Sequence, residues 1–229
     1  MIDIHSHLIP FVDDGSNSLE KSVQMVENEK NLGVTDIICT PHYREGYFET
    51  NKNEILVNFN LLCDRAKNVG VNLYLGQEIA TKKVLNNDII NEKLFTLANS
   101  KYILLEFDYN NSVDIPYVVY EMKIRGYIPV IAHVERYSYL KLSDVEAIKK
   151  MGGLIQINSS SICEGIFGHY GKIVMRFLKR KLVDFVASDY HYGRTLDIDK
   201  SYKIVKRKFG KDYADAIYCE NAKKILNDK

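Results

Sequence analysis

The sequence is short of several things. Its net charge is only +1 over 229 residues, so no whole-protein field draws it to nucleic acid or to an anionic membrane. No apolar run reaches the length needed to cross a bilayer. The N-terminus lacks a basic region followed by an apolar stretch, so no secretory signal is visible and a cytoplasmic location is expected. Only four cysteines occur, Cys39, Cys63, Cys163 and Cys219, and none stands in C-x-x-C spacing. They read as reduced thiols rather than a disulfide framework or a zinc knuckle. Neither G-x-x-x-x-G-K-[ST] nor G-x-G-x-x-G is present, which removes the usual nucleotide phosphate cradles. No G-x-S-x-G elbow supports a serine hydrolase. No cysteine is followed by arginine after five intervening residues, so a thiol-based phosphatase loop is absent.

What remains is an ordinary globular composition, 46% apolar and 27% charged. Short β-branched or aromatic runs alternate with longer amphipathic ones. The strand-like runs are 2–5, 36–40, 72–78, 102–107, 128–133, 154–158 and 183–188. Helical spacing covers 18–32, 51–69, 112–125, 143–151, 168–180, 199–209 and 212–226, and the stretch 81–97 has room for one short helix. Several helical stretches stop at a glycine, as at Gly33, Gly70 and Gly126. Repeated strand–helix units predict parallel strands covered by helices. No linker or low-complexity tract divides residues 1–229, which read as one domain.

Polar residues decide between an open sheet and a closed barrel. They fall at the C-terminal ends of the runs: His5 and His7, His42, Glu78, Glu106, His133, Asn158, Asp189 and His191. In a β/α barrel such ends meet at one rim. An open sheet would spread them along an edge. The expected fold is therefore a closed (β/α)7 barrel, one unit short of the usual eight.

Five imidazoles sharing a rim with Asp14, Glu78, Glu106 and Asp189 require a compensating cation. Mixed nitrogen and oxygen donors suit Mn²⁺, Fe or Zn rather than Ca²⁺ or Mg²⁺. The candidate ligands are His5, His7, Asp14, His42, Glu78, Glu106, His133, Asp189 and His191. They exceed the capacity of one ion, so two or three ions are implied, with Glu78 as the chosen bridge. Clustered ions favour phosphate ester hydrolysis. Arg136 and Arg194 each follow a candidate ligand by three residues and offer guanidinium forks to phosphate oxygens. Arg44 is a weaker third. Asp3 is read either as a support for a ligating imidazole or as a strand-edge residue fixing a loop.

The segments Asp3-Ile4-His5-Ser6-His7, Val12-Asp13-Asp14-Gly15, Thr40-Pro41-His42, Gly76-Gln77-Glu78, Glu106-Phe107, His133-Val134-Glu135-Arg136-Tyr137 and Ser188-Asp189-Tyr190-His191 resemble the polymerase-and-histidinol-phosphatase (PHP) superfamily. They are most similar to its bacterial manganese-dependent protein tyrosine phosphatases of capsule and exopolysaccharide loci. The resemblance implies a distorted (β/α)7 TIM-like barrel of the PHP type and three metal positions. His5, His7, Glu78 and Asp189 would hold one ion, Glu78, Glu106 and His133 the second, and Asp14, His42 and His191 the third. Arg136 and Arg194 would grip phosphate, as catalytic residues. The chain departs from the family pattern after His191, where only Tyr192 and Gly193 precede Arg194 and no prolines follow.

The function implied is hydrolysis of phosphotyrosine on a protein, in particular the tail of a bacterial tyrosine kinase that regulates capsular or extracellular polysaccharide synthesis. Two rivals stand beside it: a small-molecule phosphatase such as one for histidinol phosphate, and a catalytically idle module that binds a kinase.

Overall fold

A computed structural model describes residues 1–228, apart from the side chains at 88 and 89. Lys229, the last residue of the expected domain, lies outside the described residues. Every paired strand among the described residues is parallel to its neighbour. β1 (Ile2–Ser6), β2 (Asp36–Cys39) and β4 (Asn72–Leu75) form one sheet in the order β1-β2-β4. β3 (His42–Tyr43), β5 (Glu78–Ala80), β6 (Tyr102–Glu106), β7 (Ile128–Ile131), β8 (Leu154–Asn158) and β9 (Phe185–Ala187) form the second.

The two sheets are one curled surface. β2 runs into β3 through Thr40-Pro41, and β4 into β5 through Gly76-Gln77, so each pair is one strand with a kink. Proline cannot donate to the ladder, which explains the first break. Gly76 explains the second: a Cβ there would lie 2.9 Å from both Ile38 Cγ2 and Leu97 Cδ2. The other edge of the curl is tied by a parallel bridge between Ser6 and Tyr190. His7 N donates to Tyr190 O at 2.9 Å, and Asp189 N to His5 O at 2.8 Å. Counted this way there are seven strand units in sequential order, the expected distorted barrel.

Helices alternate with the strands for local reasons. α1 (Leu19–Asn31) starts where the Ser18 side chain accepts from Lys21 N, and Gly33 follows its end at φ +89°. It buries Ser22, Met25, Val26 and Glu29, a stripe at i, i+3, i+4, i+7. α2 (Lys52–Ala66) is capped by Asn51 and α4 (Ile115–Ile124) by Asp114, with Pro116 in its first turn. α3 (Asn87–Lys93) is the short helix expected within 81–97. α5 (Leu142–Lys150), α7 (Gly171–Lys179) and α8 (Ile198–Phe209) cover the later strands. The short α6 (Ser159–Cys163) was not expected. The anticipated last helix is α9 (Lys211–Asp215), a π turn at Ala216–Glu220 and α10 (Asn221–Leu226).

The barrel has an outer and an inner core. Strand residues such as Ile37, Ile103, Leu105, Ile131 and Ile155 pack outward with Met25, Ile55, Leu62 and Val119 of the helices. Ile4, Ile38, Leu104, Val130 and Phe185 fill the inside, with Leu97, Ala222 and Ile225 among them. Each of the large apolar side chains among them contributes roughly 1.5–3 kcal/mol relative to exposure.

β1 is irregular where the site begins. Its register with β2 shifts between Asp3 and Ser6. Asp3 and Ser6 both lie against Glu29 of α1, while Ile4 belongs to the inner core. A bulge of this kind re-aims a strand end, and here both His5 and His7 turn into the barrel mouth.

Candidate metal centre

Glu78 opens β5 rather than ending β4, and stands at the centre of the mouth. Its Oε2 lies 2.8 Å from His42 Nδ1, 3.3 Å from His5 Nε2 and 3.4 Å from His7 Nε2. Its Oε1 lies 2.8 Å from His133 Nε2. The carboxylate is fully buried. Four imidazoles from two strand ends and a kink therefore meet one carboxylate.

The remaining expected ligands surround this centre. Asp189 Oδ1 lies 3.6 Å from His5 Nε2 and 3.5 Å from His7 Nε2. Glu106 Oε1 lies 3.7 Å from His133 Nε2. Asp14 Oδ1 lies 3.5 Å from His42 Nε2 and 3.4 Å from His191 Nε2. All nine residues are thus brought together. The sixth histidine, His169, stacks edge-on against Tyr170 outside this group.

The polar network turns the right nitrogens inward. His5 Nδ1 lies 3.2 Å from Gln156 Oε1, and His7 Nδ1 lies 2.7 Å from Asp13 Oδ2. Each outer nitrogen donates, leaving Nε2 to face the centre. Gln156 Oε1 also accepts from His133 N at 2.7 Å. Its amide donates to Asn158 Oδ1 at 2.8 Å, and Asn158 donates to Asp189 Oδ2 at 2.9 Å. A buried chain of two amides thus links the backbone of His133 and the ring of His5 to Asp189. Asn158 is the strand-end hydrogen bonder that its position suggests. Gln156 carried a readable signal that was missed: it precedes Asn158 by two residues on a strand, hence on the same face.

Asp3 does not touch an imidazole. It accepts from His5 N at 3.2 Å and from Ser188 N at 3.1 Å, fixing the ends of β1 and β9. The strand-edge reading is therefore the correct one, and support of the imidazole falls to Gln156. Gly15 lets the Asp13-Asp14 loop fold back over His7. A Cβ at Gly15 would lie 2.2 Å from His7 O. Two of the nine residues sit in strained left-handed backbone, His133 at φ +30° and Asp189 at φ +53°.

The donor set fits a cluster of cations. His133 Nδ1 is buried without a hydrogen-bond partner among the described residues, and the buried Glu78 Oε2 and His191 Nε2 face other members of the centre, His42 Nδ1 at 2.8 Å and Asp14 Oδ1 at 3.4 Å. His5 Nε2 and His7 Nε2 face each other at 3.2 Å, where at most one proton is shared. Groups of three converge repeatedly: His5, His7 and Asp189; His5, Glu78 and His133; His42, Glu78 and Glu106; His7, His42 and His191. Several nitrogen and carboxylate donors crowded onto common centres are what a bound cation satisfies.

Titration follows from the same crowding. Burial opposes charge on His5, but the Glu78 and Asp189 carboxylates outweigh it and raise its pKa to about 9. Burial likewise opposes charge on His42, and Glu78, then Asp13, lift it to about 10. Burial disfavours ionised Glu78, yet the charges of His5 and His42 hold it well below the ordinary range. The hydrogen bond to His191 depresses Asp14. Burial and the charge of His7 lower His191.

The arginines divide. Arg136 Nη2 lies 2.9 Å from Asp189 Oδ2, at the mouth and three-quarters buried. Burial resists its charge, but Asp189 and Tyr109 hold it protonated. The Tyr109 hydroxyl donates to Glu106. Arg194 is exposed, and its guanidinium has no hydrogen-bond or ion-pair partner among the described residues. The Arg44 guanidinium lies over the Tyr47 ring, 4.8 Å from its centroid.

The family model described as capsular polysaccharide synthesis, CpsB/CapC, matches residues 1–227. The chain belongs to the CpsB/CapC family. It is 36% identical to the tyrosine-protein phosphatase CpsB of Streptococcus agalactiae, over 100% of this chain and 99% of the relative. A solved structure described as one of the unique metal-dependent tyrosine phosphatases YwqE of Bacillus subtilis and CpsB of Streptococcus pneumoniae superposes with a TM-score of 0.91. It is 30% identical, over 100% of this chain and 95% of that one. Histidinol phosphate phosphatase of Lactococcus lactis gives a TM-score of 0.58 at 15% identity, over 90% and 92% of the two chains. That likeness concerns the fold alone. The fold of this CpsB/CapC member is accordingly of the PHP type.

Proposed function

We propose that this CpsB/CapC protein is a metal-dependent phosphatase that hydrolyses phosphotyrosine on protein, with Mn²⁺ as the preferred ion and a bacterial tyrosine kinase tail as substrate. The observation that carries the reading is Glu78, one buried carboxylate within 3.4 Å of imidazole nitrogens from His5, His7, His42 and His133. The names of the relatives support phosphotyrosine as the substrate class and capsule synthesis as the setting. No helix among the described residues is long and apolar enough to cross a membrane, which accords with action at the cytoplasmic side.

His5, His7, Glu78 and Asp189 would hold one ion, Glu78, Glu106 and His133 a second, and Asp14, His42 and His191 a third. Bound divalent ions supply Lewis acidity and an ionised water at neutral pH. The protein's own groups do the rest. Arg136 uses one edge of its guanidinium on Asp189, which leaves other N–H donors for phosphate oxygens. Arg194, exposed beside His191, is the second phosphate contact we assign. A tyrosinate leaving group has a parent pKa of about 10, so it departs with less proton assistance than an alkoxide needs.

Kinetics on paired peptides test the reading. A phosphotyrosine peptide is expected to turn over at least about a hundredfold faster than its phosphoserine counterpart, a gap of roughly 3 kcal/mol in barrier. Equal rates, or activity confined to histidinol phosphate, would contradict it.

A further inference from the structure

Four imidazoles of the centre form a row flanked by Phe48 and Tyr109, rings that are not among the candidate ligands; His191 branches from it at His7, 4.0 Å away, and Tyr137 joins at the His133 end. Successive ring centroids lie 5.4 Å apart from Phe48 to His42, 4.4 Å from His42 to His7 and 5.3 Å from His7 to His5. They continue at 5.6 Å from His5 to His133 and 5.7 Å from His133 to Tyr109. Phe48 and Tyr109 thus bracket the centre.

The two ends differ chemically. Tyr109 is engaged through its hydroxyl by Glu106. Phe48 has no polar group, is only partly buried, and stacks on His42 with 16° between the rings. It is also held in place. Phe48 N donates to Arg44 O at 2.8 Å and Arg44 N to Phe48 O at 2.9 Å, closing a small antiparallel turn. Thr50 Oγ1 ties the end of that turn to Val12 O at 2.9 Å, on the loop that carries Asp13 and Asp14.

His42 does not need Phe48 for its orientation. Its ring is set by Glu78 at 2.8 Å and its backbone N–H by Asp13 Oδ2 at 2.9 Å. A flat apolar ring fixed at the edge of a phosphate site, and partly open to solvent, fits a flat apolar part of the ligand. A phosphorylated tyrosine presents one; a phosphorylated serine does not.

We propose that Phe48 is the wall on which the substrate's aryl ring packs, making it the residue that selects aryl over alkyl phosphates. This rests on the phosphatase reading above, because the phosphate must first be anchored at the metal centre. Aromatic rings pack offset or edge-on at centroid separations of about 4.5–7 Å, the range already seen between Phe48 and His42.

The test is calorimetric binding of two probes to Mn²⁺-loaded protein, inorganic phosphate and phenylphosphonate. Phe48→Ala is expected to weaken phenylphosphonate about tenfold, in line with loss of a ring contact and its buried area. Phosphate affinity and bound manganese should change less than about twofold. Phe48→Tyr should retain aryl binding, while Phe48→Leu, apolar but not flat, should lose part of it. Equal weakening of both probes, or loss of manganese from the variant, would make Phe48 a support for His42 and overturn the proposal. Unchanged phenylphosphonate binding would overturn it too. Wild-type protein that binds manganese but neither probe would instead refute the phosphatase reading, and this proposal with it.

Discussion

Glu78→Ala is expected to bring phosphotyrosine turnover to background and to strip the protein of most of its bound metal. The loss should exceed the roughly 10–100-fold in affinity or activity that removing a supporting residue costs. The reason is position. Glu78 offers both oxygens to the centre, one toward His133 and one toward His5, His7 and His42. No other carboxylate of the centre approaches four imidazoles. Its charge is also what keeps buried imidazoles protonated when no cation is present, as for His5 and His42. Without it those rings lose the carboxylate that most favours their charge and keep only longer contacts, His5 with Asp189 at 3.6 Å and His42 with Asp14 at 3.5 Å. Glu78→Gln separates charge from shape, since it keeps the volume and one carbonyl oxygen. It should fail nearly as badly, measured by metal content and by turnover on a phosphotyrosine peptide. Activity within tenfold of wild type in Glu78→Gln would show that the bridging carboxylate is not required.

The second large effect is on pH dependence of metal uptake. With His5 near pKa 9 and His42 near 10, both rings are protonated at pH 7 in protein stripped of metal. A cation can bind them only by displacing those protons. Affinity should therefore rise about tenfold per pH unit for each proton displaced between pH 6 and 8. The sign for stability runs the other way. A histidine raised above its ordinary 6.5 stabilises the stripped protein fully below that value and loses the contribution as pH climbs through about 9 to 10. The gain in thermal stability on adding Mn²⁺ should accordingly grow from pH 6 to pH 9. Titration calorimetry in buffers of different ionisation heat counts the protons released. Zero release at pH 7 would contradict protonated imidazoles at the centre.

Much of this architecture could be read in advance, and the reasons are local. Seven β-branched runs, each followed by helical spacing, gave the barrel because parallel neighbours leave few other connections. The ligand types stood out because they sit just where apolar runs stop. What was hidden depends on residues far apart in the chain. The kinks at Pro41 and Gly76 are set by contacts such as Ile38 and Leu97 against Gly76, so Glu78 was placed after a strand when it opens one. The bulge in β1 is a pairing event with β2 and leaves no mark in Ile4-His5. Gln156 looked like any polar strand residue until His5, from the other end of the chain, met its carbonyl. The role of Asp13, adjacent to Asp14 and bound to His7, follows from the turn at Gly15 rather than from its type. Arg136 turned inward to Asp189, while Arg194, equally spaced from its histidine, stays exposed.

The imidazoles and carboxylates of the barrel mouth are expected to act as one metal-dependent catalytic centre. Metal analysis of an active preparation, coupled to phosphotyrosine turnover before chelation, after chelation and after Mn²⁺ is restored, tests it most directly. Two or three ions per chain, loss of turnover with the metal and its return with Mn²⁺ are predicted. Full turnover in protein carrying less than one ion per chain would contradict it.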